Sequence, residues 1–378
     1  MKTPRVLLWS QHLLGTGHLV RAIRLAAALA DRDMRVTLVS GGPHVPITPP
    51  EGIEWLELPA LGASDSEFSG LVDENGVAAG EEVWQARKRQ LEEALADQQV
   101  DIVITEMFPF GRRAFRTEIA SLISLARAAN PALKVVGSVR DILVSKTEPE
   151  RYRWSVDWVQ AHYEKILVHG DPTLIPFEET FPLAEQIRDR LVHTGYVVDV
   201  PTLSVSNRSG VVVSAGGGAV GHALLSVVME YLRVYPPGGE RWRLVGGSRM
   251  AQESLDHLRE TAPGGVDVEG HVINLPERIA RARIAISQAG YNTVAETLAL
   301  RTPVLLVPFE TDSEDEQVRR ARAVERTGRG IMLRERDLAP ASLKAAIERA
   351  LLLGETQTGI DIGGAERSAR IVEELVKS

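Results

Sequence analysis

The chain has 378 residues, 44% of them hydrophobic and 25% charged, with a net charge of −8 and no cysteine; this length, with ordinary globular composition, predicts two domains rather than one core. The acidic balance argues against nucleic acid as a partner, which calls for a basic surface, and the lack of cysteine excludes disulfides, thiolate nucleophiles and cysteine-held metals, as suits a cytoplasmic protein. The apolar run at residues 6–9 is too short for a secretory signal, and no run nears the ~20 apolar residues that cross a bilayer, so a soluble protein is expected, at most attached to the inner face of a membrane.

In chain order, residues 5–10 read as an apolar strand, Gly15, Thr16, Gly17 and His18 as a tight turn, and residues 19–30 as a helix with Leu19, Ile23, Ala26 and Ala30 on one stripe. A second strand, 35–40, ends in Gly41-Gly42-Pro43. This opening invites comparison with a dinucleotide fingerprint, but Val20 stands where a third glycine is needed and Ser40 where an acidic residue should hold a ribose. A nicotinamide site is therefore rejected. Asp31-Arg32-Asp33 has a DxD spacing but precedes a strand, so it reads as a helix-to-strand turn and no metal site is indicated.

Residues 44–100 give a proline-rich loop, an irregular stretch with Asp65, Glu67, Asp73 and Glu74, and a charged helix at 81–96. Strands at 102–105, 134–139 and 165–169 then alternate with helices at 112–129 and 151–163, which implies a mostly parallel sheet covered on both faces. Glu106, Asp141, His169 and Asp171 fall at strand ends and are candidates for a base or its orienter. Between 106 and 115, arginines interleave with phenylalanines. The arginines could meet an anionic acceptor, although phenylalanines entering the core is the favoured reading.

A polar, proline-containing segment at 197–210 suits an interdomain linker. It separates a first domain, 1–196, from a second, 211–362. The second repeats the plan: strand 211–214, glycine loop Gly216, Gly217 and Gly218, helix 219–231, strands 242–245 and 266–268, and helix 275–281. The loop could cradle a phosphate with its backbone N–H groups or be a simple turn. Ser214 beside it could belong to either.

Residues 284–317 form a βαβ unit: strand 284–287, a break at Ala289-Gly290, a helix from about Asn292, strand 304–308, and an acidic loop ending in Glu316-Gln317. Turns at the carboxyl ends of parallel strands are where open α/β sheets bind ligands. A helix opening after glycine offers unpaired N–H groups and a positive dipole end, which suit a diphosphate. Glu296 could accept two hydrogen bonds from a ribose diol. Thr293-Val-Ala-Glu296 is equally a capping box, in which Glu296 serves only its own helix.

Ser287, Ala289-Gly290, Thr293, Ala295-Glu296, Pro303, Pro308-Phe309 and Glu316-Gln317 together resemble the donor-binding signature of glycosyltransferase family 28. The stretches QHLLGTGH, SVRDILV, LVHGDP and EETFPL are similar to a bacterial branch of predicted glycosyltransferases near that family, and this likeness covers nearly the whole chain. The resemblance implies an α/β fold of GT-B type, two Rossmann-like domains facing a central cleft, with a last helix at 363–378 crossing back to the first domain. It also implies inverting transfer from a nucleotide sugar, by preference a UDP-sugar, without cofactor or metal, to an acceptor that could be lipid-linked. By the same resemblance Glu296 holds the ribose and Glu316 and Gln317 contact the donor sugar, the first of that pair being Gln in most of the family. Val272 reads uracil through its backbone, beside His271. Gly15, Thr16 and Gly17 match the family's first glycine loop, and Gly216 to Gly218, Gly290, Asn292 and Thr293 complete the donor site.

Inverting transfer needs a base, and His18, at a helix amino end that favours neutral imidazole, suits it. Capping the helix or binding phosphate are its other possible roles. A sugar-nucleotide hydrolase or epimerase on the same fold, and a non-catalytic nucleotide-sugar binding protein, are the alternatives to a transferase.

Overall fold

The computed structural model describes residues 3–13, 15–48, 50–64, 70–96, 99–143, 149–203, 207–216, 221–247, 250–272, 274–311, 315–354 and 359–377. It divides into unit 1, Met1–Val197 with Gly363–Ser378, and unit 2, Val198–Ile362.

Unit 1 contains β1 (Arg5–Ser10), α1 (Gly17–Ala30), β2 (Arg35–Ser40), β3 (Ile53–Glu57), β4 (Gly62–Ala63), β5 (Leu71–Val72), α2 (Glu81–Ala96), β6 (Ile102–Glu106), α3 (Arg116–Ala129), β7 (Lys134–Arg140), α4 (Pro149–His162), β8 (Lys165–His169) and β9 (Leu191–His193). Seven strands form a sheet in the order β3-β2-β1-β6-β7-β8-β9, all its pairs parallel. Pleating sends alternate side chains of β1 to opposite faces. Leu7 and Trp9 join the core under α3 and α4, while Val6 and Leu8 join Leu19, Leu25 and Leu29 of α1.

Unit 2 contains β10 (Val211–Ser214), α5 (His222–Val234), β11 (Trp242–Val245), α6 (Gln252–Thr261), β12 (Val266–Glu269), α7 (Leu275–Arg281), β13 (Ile284–Ser287), α8 (Tyr291–Ala299), β14 (Val304–Leu306), α9 (Glu316–Arg326), β15 (Ile331–Met332) and α10 (Pro340–Leu352). Its parallel sheet runs β12-β11-β10-β13-β14-β15. The last helix, α11 (Gly364–Lys377), belongs to unit 1. Its buried Ala369 and Val372 join the α1 face of the core, and Arg32 pairs with Glu366 and Glu373. No helix among the described residues is long and apolar enough to cross a membrane.

Both sheets are therefore doubly wound, and each reverses its strand order once, between β1 and β6 and between β10 and β13. Crossovers leave such a pair in opposite directions, which opens a crevice at the strands' carboxyl ends. Several details differ from the sequence reading. Glu316 and Gln317 open α9 rather than close a loop, and α8 begins at Tyr291 rather than Asn292. Strand β3 lies within residues 44–100, where no strand is expected from the sequence, because its half-exposed IEWLE pattern lacks the continuous apolar run of its neighbours.

Candidate functional site

In unit 2 the glycine loop after β10 and the turn after β13 meet at the switch point, since Ser214 and Ser287 are register partners on adjacent strands. Gly216 has φ +69°, and a Cβ there would lie 3.3 Å from Gln288 Oε1; the left-handed backbone and the close approach together require glycine. Its N–H donates to Ser214 Oγ at 3.3 Å. Gly217 and Gly218 lie outside the described residues.

Gly290 is different. It caps α8 with φ −64°, ψ 153°, a conformation open to any residue, and a Cβ on it would meet nothing within 4 Å. Neither backbone nor packing demands glycine there. Having no side chain, Gly290 offers the first N–H groups of the helix no side-chain acceptor. Beside it, Ser287 Oγ and Asn292 Oδ1 are buried and find no hydrogen-bond partner among the described residues. An opening helix end flanked by orphaned polar atoms is what a polar ligand would complete. Ala289 is fully buried, while Thr293 follows Asn292 in the first turn of α8 and is half-buried.

Glu296, 8% exposed, sits in the second turn of α8. A capping box needs the acid at the third helical residue, which is Thr293, so the capping reading of Glu296 falls. Glu316 and Gln317 turn out to face the protein. Arg320, wholly buried, donates to Glu316 Oε1 at 2.8 Å and to the Ala289 carbonyl at 2.9 Å. Gln317 Oε1 accepts from the backbone N–H groups of Ala289, at 2.9 Å, and Phe309, at 3.2 Å. His271 is exposed and Val272 half-buried in the turn after β12.

In unit 1 the switch point brings together residues from the two loops flanking it. Gly15 and Thr16 lead from β1 into α1, which begins at Gly17, and α1 places His18 Nδ1 2.9 Å from Oε1 of Glu106, the last residue of β6. Arg21, one turn along α1 and 2% exposed, pairs with the same oxygen. Glu106 is 1% exposed, and its second oxygen finds no partner among the described residues. Burial pushes the Glu106 carboxyl up, but His18, Arg21 and Arg112 outweigh this and bring it down to about 2. Burial pulls His18 down to about 4, against the opposing pull of Glu106. At neutral pH the pair is thus carboxylate and neutral imidazole. The carboxylate can only accept, so the tautomer that satisfies it carries the proton on Nδ1, although Arg21 Nη2 lies 3.1 Å from the same nitrogen; in that tautomer Nε2 keeps a lone pair to take a proton.

A buried polar frame supports this arrangement. Arg87, wholly buried, donates to Glu118 at 2.7 Å, to the Gly41 and Pro59 carbonyls at 3.0 and 2.8 Å, and to Gln11 Oε1 at 3.0 Å. Arg112 Nε in turn donates to the Gln11 carbonyl at 2.7 Å. The loops after β1, β2 and β6 are fixed to one another in this way.

The other candidates have structural partners. Asp141 accepts from its neighbour Ile142 N–H at 2.8 Å and from Tyr196 Oη at 3.0 Å, and Asp171 accepts from Thr173. His169 bridges Ser138 and Thr194, each at 2.8 Å, and burial pulls it down to about 3. Phe108, Phe110 and Phe115 all enter the core. Sequence reading passed over Arg21 and Arg320. Each is an arginine on an otherwise apolar helix face, three or four residues from a candidate, and that spacing was the available signal. A cavity of about 720 Å³ lies away from the switch point, against edge strand β12, lined by Arg241, Arg243, Arg259, Arg278 and Arg281 with Asp267 and Glu269. Both of its acids are paired to arginines.

Two doubly wound Rossmann-like units, each with a polar switch point, define a GT-B protein. The architecture matches the calicheamicin glycosyltransferase CalG4 with TM-score 0.65 and 21% identity, over 100% of this chain and 99% of that one. It also matches MurG of Acinetobacter baumannii with TM-score 0.64 and 13% identity, over 98% and 100%. Residues 244–373 match the glycosyltransferase family 28 C-terminal domain. The UDP-N-acetylglucosamine--N-acetylmuramyl-(pentapeptide) pyrophosphoryl-undecaprenol N-acetylglucosamine transferase of Paramagnetospirillum magneticum is 29% identical over 183 residues, 46% of this chain and 49% of that protein. The chain thus spans about half the length of that relative. The protein of the same name from Erythrobacter litoralis is 27% identical over 345 residues, 88% of this chain and 78% of that one. The chain is thus similar to glycosyltransferase family 28, most plainly over residues 244–373.

Proposed function

We propose that the chain is an inverting, metal-independent glycosyltransferase that takes a sugar from a nucleoside diphosphate donor, a UDP-sugar, and passes it to a hydroxyl acceptor. The observation that carries this reading is the open amino end of α8, where a glycine that the fold does not require stands beside the orphaned Ser287 Oγ and Asn292 Oδ1. Amides and the dipole at that end suit the two phosphates. Glu296 takes the ribose hydroxyls, and the Gly216 loop the remaining phosphate oxygens. The relatives named for UDP-N-acetylglucosamine support uridine as the base, with Val272 and His271 at its edge.

In the transfer, His18 Nε2 accepts the proton of the acceptor hydroxyl while that oxygen attacks the anomeric carbon. The carbon–oxygen bond to the diphosphate breaks, its electron pair leaves with the diphosphate, and the N–H groups of α8 stabilise the developing charge. Displacement from the opposite face inverts the anomeric centre. Glu106 keeps the Nδ1 proton in place and stabilises the imidazolium that forms, so it is a positioning residue. The acceptor is lipid-linked on this reading, by analogy with the undecaprenol-linked acceptor in the relatives' name, and the protein would work in peripheral contact with the cytoplasmic face of a membrane.

The test is release of UDP from a panel of UDP-sugars, with and without polyprenyl-linked and soluble acceptors, in the presence and absence of EDTA. Release that depends on acceptor and resists EDTA is expected. Release without any acceptor would make the protein a hydrolase or epimerase, and tight binding with the donor intact would make it a binding protein.

A further inference from the structure

Side chains from α9 claim both polar groups of the Ala289 backbone. Gln317 Oε1 accepts its N–H, and Arg320 Nη1 donates to its carbonyl. Arg320 is wholly buried, its guanidinium is also held by Glu316 Oε1 at 2.8 Å, and it lies 5.9 Å from the Tyr291 ring centroid. The carbonyl of Ala289 and the N–H of Gly290 belong to one planar trans peptide and point in opposite directions. Fixing the carbonyl toward Arg320 therefore aims the Gly290 N–H the other way, away from the guanidinium, and the space around the Gly290 Cα is open as well.

We propose that Arg320 is a positioning residue that sets the orientation of the Ala289–Gly290 peptide, so that the Gly290 N–H is already directed at the donor diphosphate, and that Glu316 serves by holding Arg320 rather than by touching the sugar. The proposal rests on the glycosyltransferase reading. Without the buried guanidinium the peptide would be free to rotate. A rotated peptide would present the Ala289 carbonyl, and so partial negative charge, to an anionic ligand.

The experiment measures UDP affinity by calorimetry and the thermal midpoint on the full chain for Glu316→Gln, Arg320→Met and the double variant. Each single variant should lower the midpoint, because each removes one member of the buried Glu316–Arg320 ion pair and leaves the other charge in place. Arg320→Met should also weaken UDP binding by about tenfold, what one hydrogen bond to a charged group contributes. The double variant removes both members of the pair, so its midpoint should return toward that of the parent while UDP affinity stays about tenfold low. Recovery of UDP affinity together with stability would make the role purely structural and overturn the proposal. Failure of the unsubstituted protein to bind UDP would instead remove the glycosyltransferase reading, and the proposal with it.

Discussion

The two switch points share a topology and differ in what they offer a ligand. In unit 1 the crevice between β1 and β6 holds ionisable side chains, with His18, Glu106 and Arg21 in mutual contact. In unit 2 the crevice between β10 and β13 holds backbone: glycine, the first amides of α8, and two polar side-chain atoms that find no partner among the described residues. A proton must be moved by a group that titrates, whereas a diphosphate is best met by fixed dipoles that need no counter-proton. On the proposed function, one Rossmann-like plan would serve once for chemistry and once for binding.

The largest break in this contrast should come from Glu106→Gln. A glutamine amide can donate to Nδ1 and so place the ring proton on Nε2, where it blocks base action. It also withdraws the one charge that raises the His18 pKa. We expect kcat to fall by about 10²–10⁴ with donor affinity unchanged, as measured by initial rates and calorimetry. Next, Gly290→Val should leave the thermal midpoint where it was, because its φ and its open surroundings tolerate a side chain. It should nonetheless raise donor KM by about 10–100-fold by blocking the approach of phosphate to the amides. Arg87→Met should sharpen the unit 1 side: it leaves Glu118 buried and unpaired, so unfolding free energy should drop by about 3–5 kcal/mol in a denaturant titration.

The smallest effect is in pH. His18 binds a proton near pH 6.5 when unfolded and near 4 when folded. Between those values the unfolded chain holds the extra proton, so its share of stability is present above about 6.5 and is lost as pH falls toward 4. The acid limb of kcat/KM should accordingly lie near pH 4 rather than near 6.5, and a pH–rate profile reads it directly.

Long apolar strands were legible in the sequence. Residues 5–10, 211–214 and 284–287 announce themselves because parallel strands buried on both faces must be apolar throughout. Short edge strands such as β3 and β15 carried no such signal. The α8 turn was legible as strand, glycine and helix. The inward commitment of Glu316 and Gln317 was not, since only the fold shows that the first turn of α9 lies against Ala289. His18 and Glu106 were each visible at the end of an element, but their pairing joins residues 88 apart in sequence. Strand order alone decides that contact.

The measurement closest to the central claim compares His18→Ala with Gly290→Val in one assay that reports kcat and, separately, UDP affinity. The account predicts that His18→Ala loses about 10²–10⁴ in kcat with UDP affinity intact, while Gly290→Val loses UDP affinity and keeps its fold. If His18→Ala weakens UDP binding and leaves kcat alone, or if Gly290→Val binds UDP as the parent does, the division between a chemical unit and a binding unit is wrong.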